Sequence, residues 1–572
     1  MNIGKFILGI CLGLIILLVP FDQFTTDSLE SLKTLTVQLE GRKKPLDTVA
    51  RETVTEIHGR PTFTDSFGQK LDYFSTYLSL WLNDRDWNEE PFVMVNYRPL
   101  KMAVGLPVEK KYFTFQELVT NPQLNDLVSQ AQRNQALDQS LTRDEQEALT
   151  IADRLALVIQ TVGSESLPLV PHPSNPQGKW LGVGNADNYY SEAQVQKLQA
   201  EFLILKTLYQ QAPSDRTALA EEGAIWHQTL VGLSPNVYPA TEVMSRETRF
   251  NSLHPFRKAW MLYGVALVVM ILALVIAKFQ LYWTSLGFFT TGIAIQAYGF
   301  WERMQIAGRP PVTNMYESVI WVGFGIAGIA LMFELIYRAK YYLLAAAPLA
   351  MVCLVLADSL PAVLDSSIKP LVPVLRDNFW LSIHVPTITL SYASFALAMG
   401  LGHIIMGWYV VAPESGSKSI AQLSRWNYGV LQVGVLLLAA GIILGGIWAH
   451  FSWGRFWGWD PKETWAFIAL LSYLVPLHGR LVGWLGNFAM AAASVICFNS
   501  VLMAWYGVNF VLGTGLHSYG FGTGGSSFAI AIWVGLDLLL VLAAASRHYQ
   551  WFAPKTVSQT GISTSEISVS KT

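Results

Sequence analysis

Residues 449–465 read AHFSWGRFWGWDPKETW and lie between two long apolar segments, 428–448 and 464–481. Segments of that length and apolarity are typical of transmembrane helices, so the stretch is predicted to be a loop at a membrane surface. Four tryptophans and two phenylalanines fall within its 17 residues, with glycines between them. Tryptophan is common in interfacial belts, but this density also suits a flat, apolar, polarizable ligand. Composition leaves both interpretations open.

The composition indicates a membrane protein joined to a water-soluble region. The 572 residues are 52% hydrophobic and only 14% charged, whereas roughly a quarter of a soluble protein is charged. Residues 21–258 have an ordinary soluble composition, and charge becomes sparse from 259 to 546. The net charge of −2 provides no basic surface for nucleic acid. No nucleic-acid partner is therefore expected.

Cysteine usage excludes three classes of protein. Cys11, Cys353 and Cys497 all lie in apolar runs, and none begins a CxxC or CxxCH sequence. The region 21–258 therefore has neither a disulfide framework nor a zinc site of CxxC type. The chain is also not itself a c-type cytochrome.

We expect an all-α polytopic membrane protein with about ten transmembrane helices. Residues 1–20 are predicted to be an uncleaved signal anchor. Nine further apolar segments are predicted spans: 260–278, 282–301, 316–336, 341–357, 384–411, 428–448, 464–481, 486–511 and 528–546. The region 21–258 is predicted to be mainly helical, with helices near 47–58, 142–162 and 191–211. Residues 549–572, rich in Ser and Thr, are expected to be a disordered tail.

The positive-inside rule gives a consistent orientation. With ten spans, both termini are cytoplasmic, and region 21–258 and the tryptophan-rich loop are extracytoplasmic. The cytoplasmic side then carries Lys278, Arg338, Lys340, Lys418, Arg425, Arg480, Arg547 and Lys555.

Two histidines lie on the same predicted side as the tryptophan-rich loop. His384 begins the span 384–411, and His517 lies in the Gly-rich segment 513–520. A single interfacial histidine usually just has its hydrogen bonds satisfied, but two imidazoles beside an aromatic surface could be the axial ligands of a heme iron. Arg455 and Lys462 could pair with acidic groups at the edge of such a ligand, and a porphyrin with two propionates fits both features.

Other polar groups in the apolar part allow two interpretations each. His478 lies near the opposite end of its span and could ligate a second heme or cap a helix end as a cation. Glu334 and Asp537 could line a polar path or form hydrogen bonds between helices, and His403 is interpreted as structural. The segment 303–318 is predicted to be either a rigid turn or part of a docking surface.

These motifs together resemble a known family. The tryptophan-rich loop resembles the WWD signature of heme-handling proteins, and the sequence DPKET at 460–464 is similar to the CcsA (ResC) branch of system II cytochrome c synthases, which are related to CcmC and CcmF. The segments around His384 and at 509–520 resemble the parts of that family that carry its two outer heme ligands. His478-Gly479-Arg480 resembles its membrane-embedded histidine, and 308–318 also matches a family pattern.

The resemblance, which covers about residues 259–548, implies a function in cytochrome c biogenesis. Heme b would move to the outer membrane face and be joined by thioether bonds to the CxxCH cysteines of an apocytochrome c. The residues implied to contact heme are Trp453, Arg455, Trp457, Trp459, Asp460, Lys462 and Trp465, with His384 and His517 on the outer heme iron and His478 on a membrane heme iron.

The resemblance also implies partners and a location. A ResB/CcsB-like protein would supply the second ligand of the membrane heme and join in heme-lyase activity, and a thioredoxin-like protein would keep the cysteines reduced. The implied location is a bacterial cell membrane. Two alternatives remain at this point: a heme exporter or chaperone of CcmC type without ligation activity, and an unrelated transporter in which Glu334 and Asp537 line a path.

Overall fold

The computed structural model describes residues 3–18, 29–137, 139, 141–213, 215–276, 280–360, 363–512, 515–517 and 527–549. Within these ranges, residues 29–253 form short helices and hairpins, and a bundle of long apolar helices follows. Residues 29–253 are called the soluble region because of their composition. The end of the predicted anchor at 19–20 lies outside the described residues, as does the predicted tail apart from Tyr549.

The soluble region is mainly helical, as predicted, with three small hairpins. Its helices are α2 (Glu30–Lys33), α3 (Leu46–His58), α4 (Tyr73–Leu82), α5 (Arg98–Ala103), α6 (Phe115–Val119), α7 (Pro122–Ala136), α8 (Arg143–Thr161), α9 (Glu192–Gln211), α10 (Arg216–Leu233) and α11 (Thr241–Leu253). The antiparallel hairpins are β1 (Thr36–Leu39) with β2 (Arg42–Pro45), β3 (Thr62–Thr64) with β4 (Lys70–Asp72), and β5 (Val93–Met94) with β6 (Tyr112–Phe113).

Local signals explain the three helices that the sequence predicted. Helix α8 begins where Thr142 and Glu145 form a capping box, which satisfies two backbone N–H groups at the helix start. Helix α3 ends at Gly59, whose φ of 75° is the left-handed conformation that glycine adopts without strain. Helix α9 coincides with the predicted segment 191–211. All three predictions are confirmed.

The soluble region has its own core, built around large aromatic side chains. Trp81, Trp180 and Trp226 are fully buried, and the rings of Trp81 and Trp226 lie 5.9 Å apart. Truncating an aromatic side chain at such a position typically costs about 3–5 kcal/mol of folding free energy. This region therefore folds around an interior separate from that of the helix bundle.

All nine predicted spans that follow the soluble region coincide with helices. They are α12 (Pro255–Val275), α13 (Gln280–Ala307), α14 (Met315–Tyr337), α15 (Tyr341–Ser359), α16 (Asn378–Val411), α17 (Ser417–Trp453), α18 (Pro461–Leu481), α19 (Asn487–Ile496) with α20 (Phe498–Leu502) and a π-helix (Met503–Leu512), and α21 (Ser527–His548). Among the described residues, seven helical segments are long and apolar enough to cross a membrane, and α13 and α18 are not among these seven.

The bundle's outer surface is apolar. Leu436 on α17 and Leu539 on α21 are 71% and 62% exposed, which would be costly for large aliphatic side chains in water but suits contact with lipid. The chain is an all-α, multi-pass membrane protein.

The N-terminal helix α1 (Ile3–Leu17) packs tightly against α13. Glycines make the approach possible: a Cβ at Gly9 would lie 2.2 Å from the carbonyl oxygen of Thr284, and one at Gly287 would lie 2.5 Å from that of Phe6. Small residues allow this close contact between helix backbones in membrane proteins. Helix α1 is therefore part of the bundle.

The soluble region contacts the end of the bundle at which α13 ends and α14 begins. Helix α11 leads into α12 through His254, whose φ is 48°. Arg246 of α11 pairs with Glu302 near the end of α13 at 3.8 Å. In the β1–β2 turn, a Cβ at Gly41 would lie 3.2 Å from Pro370, in the loop before α16. These contacts place the soluble region beside the starts of α14 and α16.

Replacing Gly287 by alanine tests the α1–α13 contact. The added Cβ meets the Phe6 carbonyl, so we expect destabilisation of about 1–3 kcal/mol and a lower melting temperature in detergent. Gly328→Ala is the matched control because a Cβ there meets no atom within 4 Å. The control should be neutral or stabilised by up to roughly 1 kcal/mol. Equal melting temperatures for the two variants would contradict the described packing.

Candidate functional site

A cavity with an empty volume of about 1160 Å³, which includes space open to solvent, lies at the bundle end that carries the soluble region. Its walls come from the starts of α14, α16 and α18, the ends of α17 and the π-helix, and the segment 515–517. Aromatic side chains dominate the lining: Tyr392, Trp448, Trp453, Phe456, Trp457 and Trp505. A pocket with large apolar walls and a few polar groups is typical of a site for a bulky organic ligand.

His384 lines this cavity from the second turn of α16. Its Nδ1 donates to the carbonyl oxygen of Gly441 on α17 at 2.9 Å. Gly445, one turn further along α17, leaves room for the ring, since a Cβ there would lie 2.6 Å from the His384 Cε1. In neutral imidazole, a proton on Nδ1 leaves the lone pair on Nε2. The α16–α17 contact therefore fixes both the orientation and the tautomer of His384.

His517 lines the same cavity and has a carboxylate as its acceptor. Its Nδ1 donates to Oδ2 of Asp460 at 2.9 Å, and its ring meets the edge of Trp453 at 5.0 Å between centroids. Burial raises the pKa of the Asp460 carboxyl, but the hydrogen bond and the charge of His517, together with hydrogen bonds from the backbone N–H groups of Lys462 and Leu516, outweigh it and hold that pKa below its usual value. Asp460 is therefore an anion at neutral pH, and when the His517 ring is neutral its lone pair is on Nε2.

Asp460 also ties the segment 515–517 to the start of α18. Its Oδ1 accepts the backbone N–H of Leu516 at 2.6 Å, and its Oδ2 accepts that of Lys462 at 3.1 Å, which caps the helix. Gly515 has a φ of 104°, and a Cβ there would lie 2.5 Å from Oδ1 of Asp460. Glycine is thus required at 515 for both conformation and space.

Arg455 and Glu463 support the tryptophan-rich loop from within. Nη1 of Arg455 donates to Oε1 of Glu463 at 3.3 Å, and its guanidinium lies 5.8 Å from the Trp453 ring. Oε2 of Glu463 accepts the backbone N–H of Gly458 at 2.8 Å. The sequence predicted that Arg455 would pair with an acidic group of the ligand. In the structure, the Arg455 guanidinium instead pairs with the carboxylate of Glu463.

Lys462 brings a cationic group to the cavity wall. Burial lowers the pKa of its ammonium to about 8, against a smaller raising effect of the Asp460 carboxylate. Its Nζ donates to Oδ1 of Asn509 at 3.3 Å, and Nδ2 of Asn509 donates to the carbonyl oxygen of Trp505 at 2.7 Å. Asn509 lies in the π-helix, a rare conformation that is frequent at functional sites.

The structure brings together five of the residues that the sequence singled out. His384, His517, Trp453, Trp457 and Lys462 line the cavity, and Asp460 and Arg455 hold parts of its wall. Trp448, Phe456 and Asn509 also line the cavity but were not predicted as site residues from the sequence. A signal existed for Asn509, since the segment 509–520 carried the family resemblance, and for Phe456, which lies within the tryptophan-rich loop.

Three other predicted residues lie elsewhere. Trp459 is 69% exposed and outside the cavity lining, and Trp465 packs against the bundle core. His478 lies sixteen residues beyond Lys462 along α18, which corresponds to about 24 Å. It is exposed, and its Nδ1 donates to the carbonyl oxygen of Leu474 at 2.8 Å. Heme contacts of these three residues stay predictions.

The two carboxylates considered for a polar path are engaged in local contacts. Glu334 accepts from the Tyr282 hydroxyl at 2.5 Å and from the Lys340 backbone N–H at 2.7 Å. Asp537 pairs with His403 at 2.8 Å, which joins α16 to α21. Neither carboxylate lines the cavity. Hydrogen bonding between helices and at a helix end accounts for both groups.

The segment 303–318 contains the turn between α13 and α14, which leads into the cavity wall. A buried ion pair joins Arg303 to Glu317 at 2.7 Å, and Glu317 also accepts the backbone N–H of Thr313 at 2.7 Å. Asn314 caps α14 through the backbone N–H of Glu317. These contacts agree with the interpretation of this segment as a turn, and the interpretation as part of a docking surface stays a prediction.

Comparison with known sequences gives the family. A sequence model described as cytochrome c assembly protein matches residues 312–517, and both Val312 and His517 line the cavity. The CcsA cytochrome c biogenesis protein of Synechococcus sp. strain CC9902 is 35% identical over 244 residues, 37% of this chain and 79% of that protein. This chain belongs to the CcsA family. The CcsA of Prochlorococcus marinus subsp. pastoris is 37% identical over 261 residues, 40% of this chain and 79% of that protein.

A longer similarity extends into the soluble region. The protein NrfI of Wolinella succinogenes is 29% identical over 512 residues, 84% of this chain. An alignment of that length exceeds the segment 259–548, so it includes much of the soluble region. This chain covers 53% of NrfI, about half of that relative's length. With membership of the CcsA family, the interpretation as an unrelated transporter is wrong.

The lowered pKa of Lys462 predicts unusual reactivity of its amine. With a pKa of about 8, about a tenth of this amine is neutral at pH 7, against well under a thousandth for an ordinary lysine. Competitive acetylation across pH, read by mass spectrometry, should give a midpoint near pH 8 for Lys462. Lys369 is the control: burial lowers its pKa, but its bond to Asp365 outweighs that and raises it. A midpoint near 10 or above for both lysines would refute the prediction.

Proposed function

We propose that the cavity binds heme b as a substrate, with His384 and His517 as its two axial ligands, and promotes its covalent attachment to apocytochrome c. The observation that carries the proposal is the matched state of the two histidines. Each lines one aromatic-walled cavity, and each donates Nδ1–H to a fixed acceptor, Gly441 or Asp460. Histidines that ligate metals almost always donate their other ring N–H in this way.

Thioether formation requires mainly that the thiols and the heme vinyl groups are held in the right relative positions. Each cysteine thiol of CxxCH adds across one heme vinyl group: sulfur bonds to the vinyl carbon next to the ring, and the proton goes to the terminal carbon. The addition needs no net oxidation or reduction. Trp453 and Trp457 would contact the porphyrin plane while the histidines hold the iron, so that both vinyl groups meet the thiols in a fixed geometry. Such orientation alone can lower the activation free energy of the reaction by several kcal/mol.

Lys462 is the cavity's candidate partner for a heme propionate. Its ammonium lies in the wall beside Asn509, on the first turn of α18. A propionate would stabilise the charged form of this buried amine. Arg455 would act on the same wall through Glu463, since its guanidinium is already engaged there.

The proposed orientation places the cavity on the extracytoplasmic side of a bacterial cell membrane, with both termini in the cytoplasm. The soluble region and the cavity share one end of the bundle, so a single orientation puts both outside. An apocytochrome c could then reach the cavity. A thioredoxin-like protein would supply the reduced cysteines that the addition requires.

A ResB-like protein is the proposed membrane partner. His478 is exposed on α18, and its Nδ1–H donates to the Leu474 carbonyl, so the lone pair of its neutral ring is on Nε2. A heme held there would take its other axial ligand from a second chain. That heme would lie on the way to the outer cavity.

Heme absorption of the protein purified in mild detergent tests the axial ligands. Wild type should show a low-spin, bis-histidine spectrum. His384→Ala and His517→Ala should each lose most of that absorption, and added imidazole should restore it by filling the empty coordination position. His450→Ala is the control, because His450 is exposed in the last turn of α17 and does not line the cavity. Equal heme in all four proteins, or none in wild type, would contradict the proposal.

Cytochrome maturation tests the reaction itself. Gly445→Ala places a Cβ at 2.6 Å from His384 and should displace the imidazole. A displacement of about 1 Å can cost on the order of 10²-fold in rate. We expect a loss of that order in holocytochrome c when the chain and a ResB-like protein are expressed in a host without its own maturation system. Gly429→Ala, also on α17, is the control, because a Cβ there makes only an ordinary contact with Phe333.

The same assay separates ligation from heme delivery. Wild-type chain that binds heme normally but yields no thioether-linked cytochrome would favour a heme exporter or chaperone of CcmC type. Full activity of Gly445→Ala would show that the geometry of His384 does not limit the reaction.

A further inference from the structure

The two histidines of the cavity differ in the charge of their hydrogen-bond acceptors. His384 donates to the carbonyl of Gly441, a neutral group, at 2.9 Å. His517 donates at the same distance to the carboxylate of Asp460, whose side chain is only 3% exposed. A hydrogen bond to an anion is about twice as strong as one between neutral groups. The two imidazoles are therefore not equivalent electron donors.

We propose that Asp460 is a positioning residue that makes His517 the stronger of the two axial ligands and stabilises the ferric state of the bound heme. This inference rests on the proposed function, because it needs a heme in the cavity. A carboxylate that accepts Nδ1–H pulls the proton away from the ring and increases the electron density at Nε2. An acceptor that is hydrogen-bonded to the far nitrogen of a metal-ligating histidine changes the basicity of the ligand and the redox potential of the metal.

The surroundings of Asp460 hold the carboxylate in place for this role. Oδ1 accepts the N–H of Leu516, and Oδ2 accepts both the N–H of Lys462 and the Nδ1–H of His517. One carboxylate therefore fixes the backbone next to the histidine as well as the ring itself. Gly515 leaves the space that the carboxylate occupies.

If the role of Asp460 were purely structural, it would be that of a helix cap. Asp377, which also caps a helix, provides the comparison. Asp377 caps α16, the helix that carries His384, by accepting the N–H groups of Phe379 and Trp380. The acceptor of His384 is Gly441, not Asp377. Asparagine caps helices as well as aspartate does. Replacement by asparagine preserves either cap, because a single side-chain oxygen accepts the capping N–H groups, Oδ1 at Asp377 and Oδ2 at Asp460. Asp460→Asn also loses the oxygen that accepts the Leu516 N–H, and it alone removes a charge from an imidazole's acceptor.

The experiment is a spectroelectrochemical titration of heme-loaded wild type, Asp460→Asn and Asp377→Asn, together with ferric low-spin EPR spectra. Asp460→Asn should keep its heme but show a more positive midpoint potential, because the loss of the anion destabilises the ferric state. Its EPR g-values should shift toward those of a neutral bis-imidazole complex. Asp377→Asn should match wild type in both measurements.

The outcomes separate this inference from the proposed function. An unchanged potential and EPR spectrum in heme-loaded Asp460→Asn would overturn the inference and leave the ligand assignment standing. Equal shifts in the two variants would assign the effect to helix capping and also overturn it. A wild-type protein that binds no heme overturns both proposals. If Asp460→Asn loses its heme, imidazole is added to restore heme binding. A restored heme whose midpoint potential still differs from that of wild type would support the inference. Recovery of the wild-type midpoint potential would overturn it.

Discussion

A bilayer provides no water for backbone N–H and carbonyl groups, so this chain crosses it as helices, whose backbone groups bond to one another. Loops and other irregular backbone are therefore expected near the ends of the helices. The cavity follows from this constraint. Helices α14, α16 and α18 begin at one end of the bundle, where α17 and the π-helix end. Lys462 lies on the first turn of its helix and His384 on the second. The soluble region contacts the same end of the bundle through Arg246 and Gly41.

Apolar segments in the sequence were sufficient to predict the helices and to group His384, the tryptophan-rich loop and His517 at one end of the bundle. Nine spans were predicted from residue 259 onward, and each coincides with helix in the described part of the chain, with α19, α20 and the π-helix together forming one of them. The alternation of spans also placed His384, the tryptophan-rich loop and His517 on one side, and the structure brings them into one cavity. These predictions need only the apolar segments of the local sequence and the number of spans between two loops. They do not require knowledge of tertiary contacts.

The acceptors of the two histidines could not be predicted in the same way. Gly441 contributes a backbone carbonyl, which any residue possesses, and it is 57 residues from His384. Asp460 was singled out as a ligand contact, yet its carboxylate is engaged by His517 and the start of α18. The sequence also gave no reason to distinguish Trp457, in the cavity, from Trp459, which is exposed. That difference arises at Trp459 itself, whose φ of 57° turns the chain.

The π-helix at Met503–Leu512 makes this wall of the cavity sensitive to how the helix is wound. A π-turn accommodates one more residue than an α-turn in the same span, so each residue turns the chain by a smaller angle. If the segment relaxed to a regular α-helix without losing a residue, each position would turn by about 100°. Asn509 would then rotate away from Lys462, although no side chain of the cavity had been changed. The winding of this segment is therefore as much a part of the site as the identity of its residues.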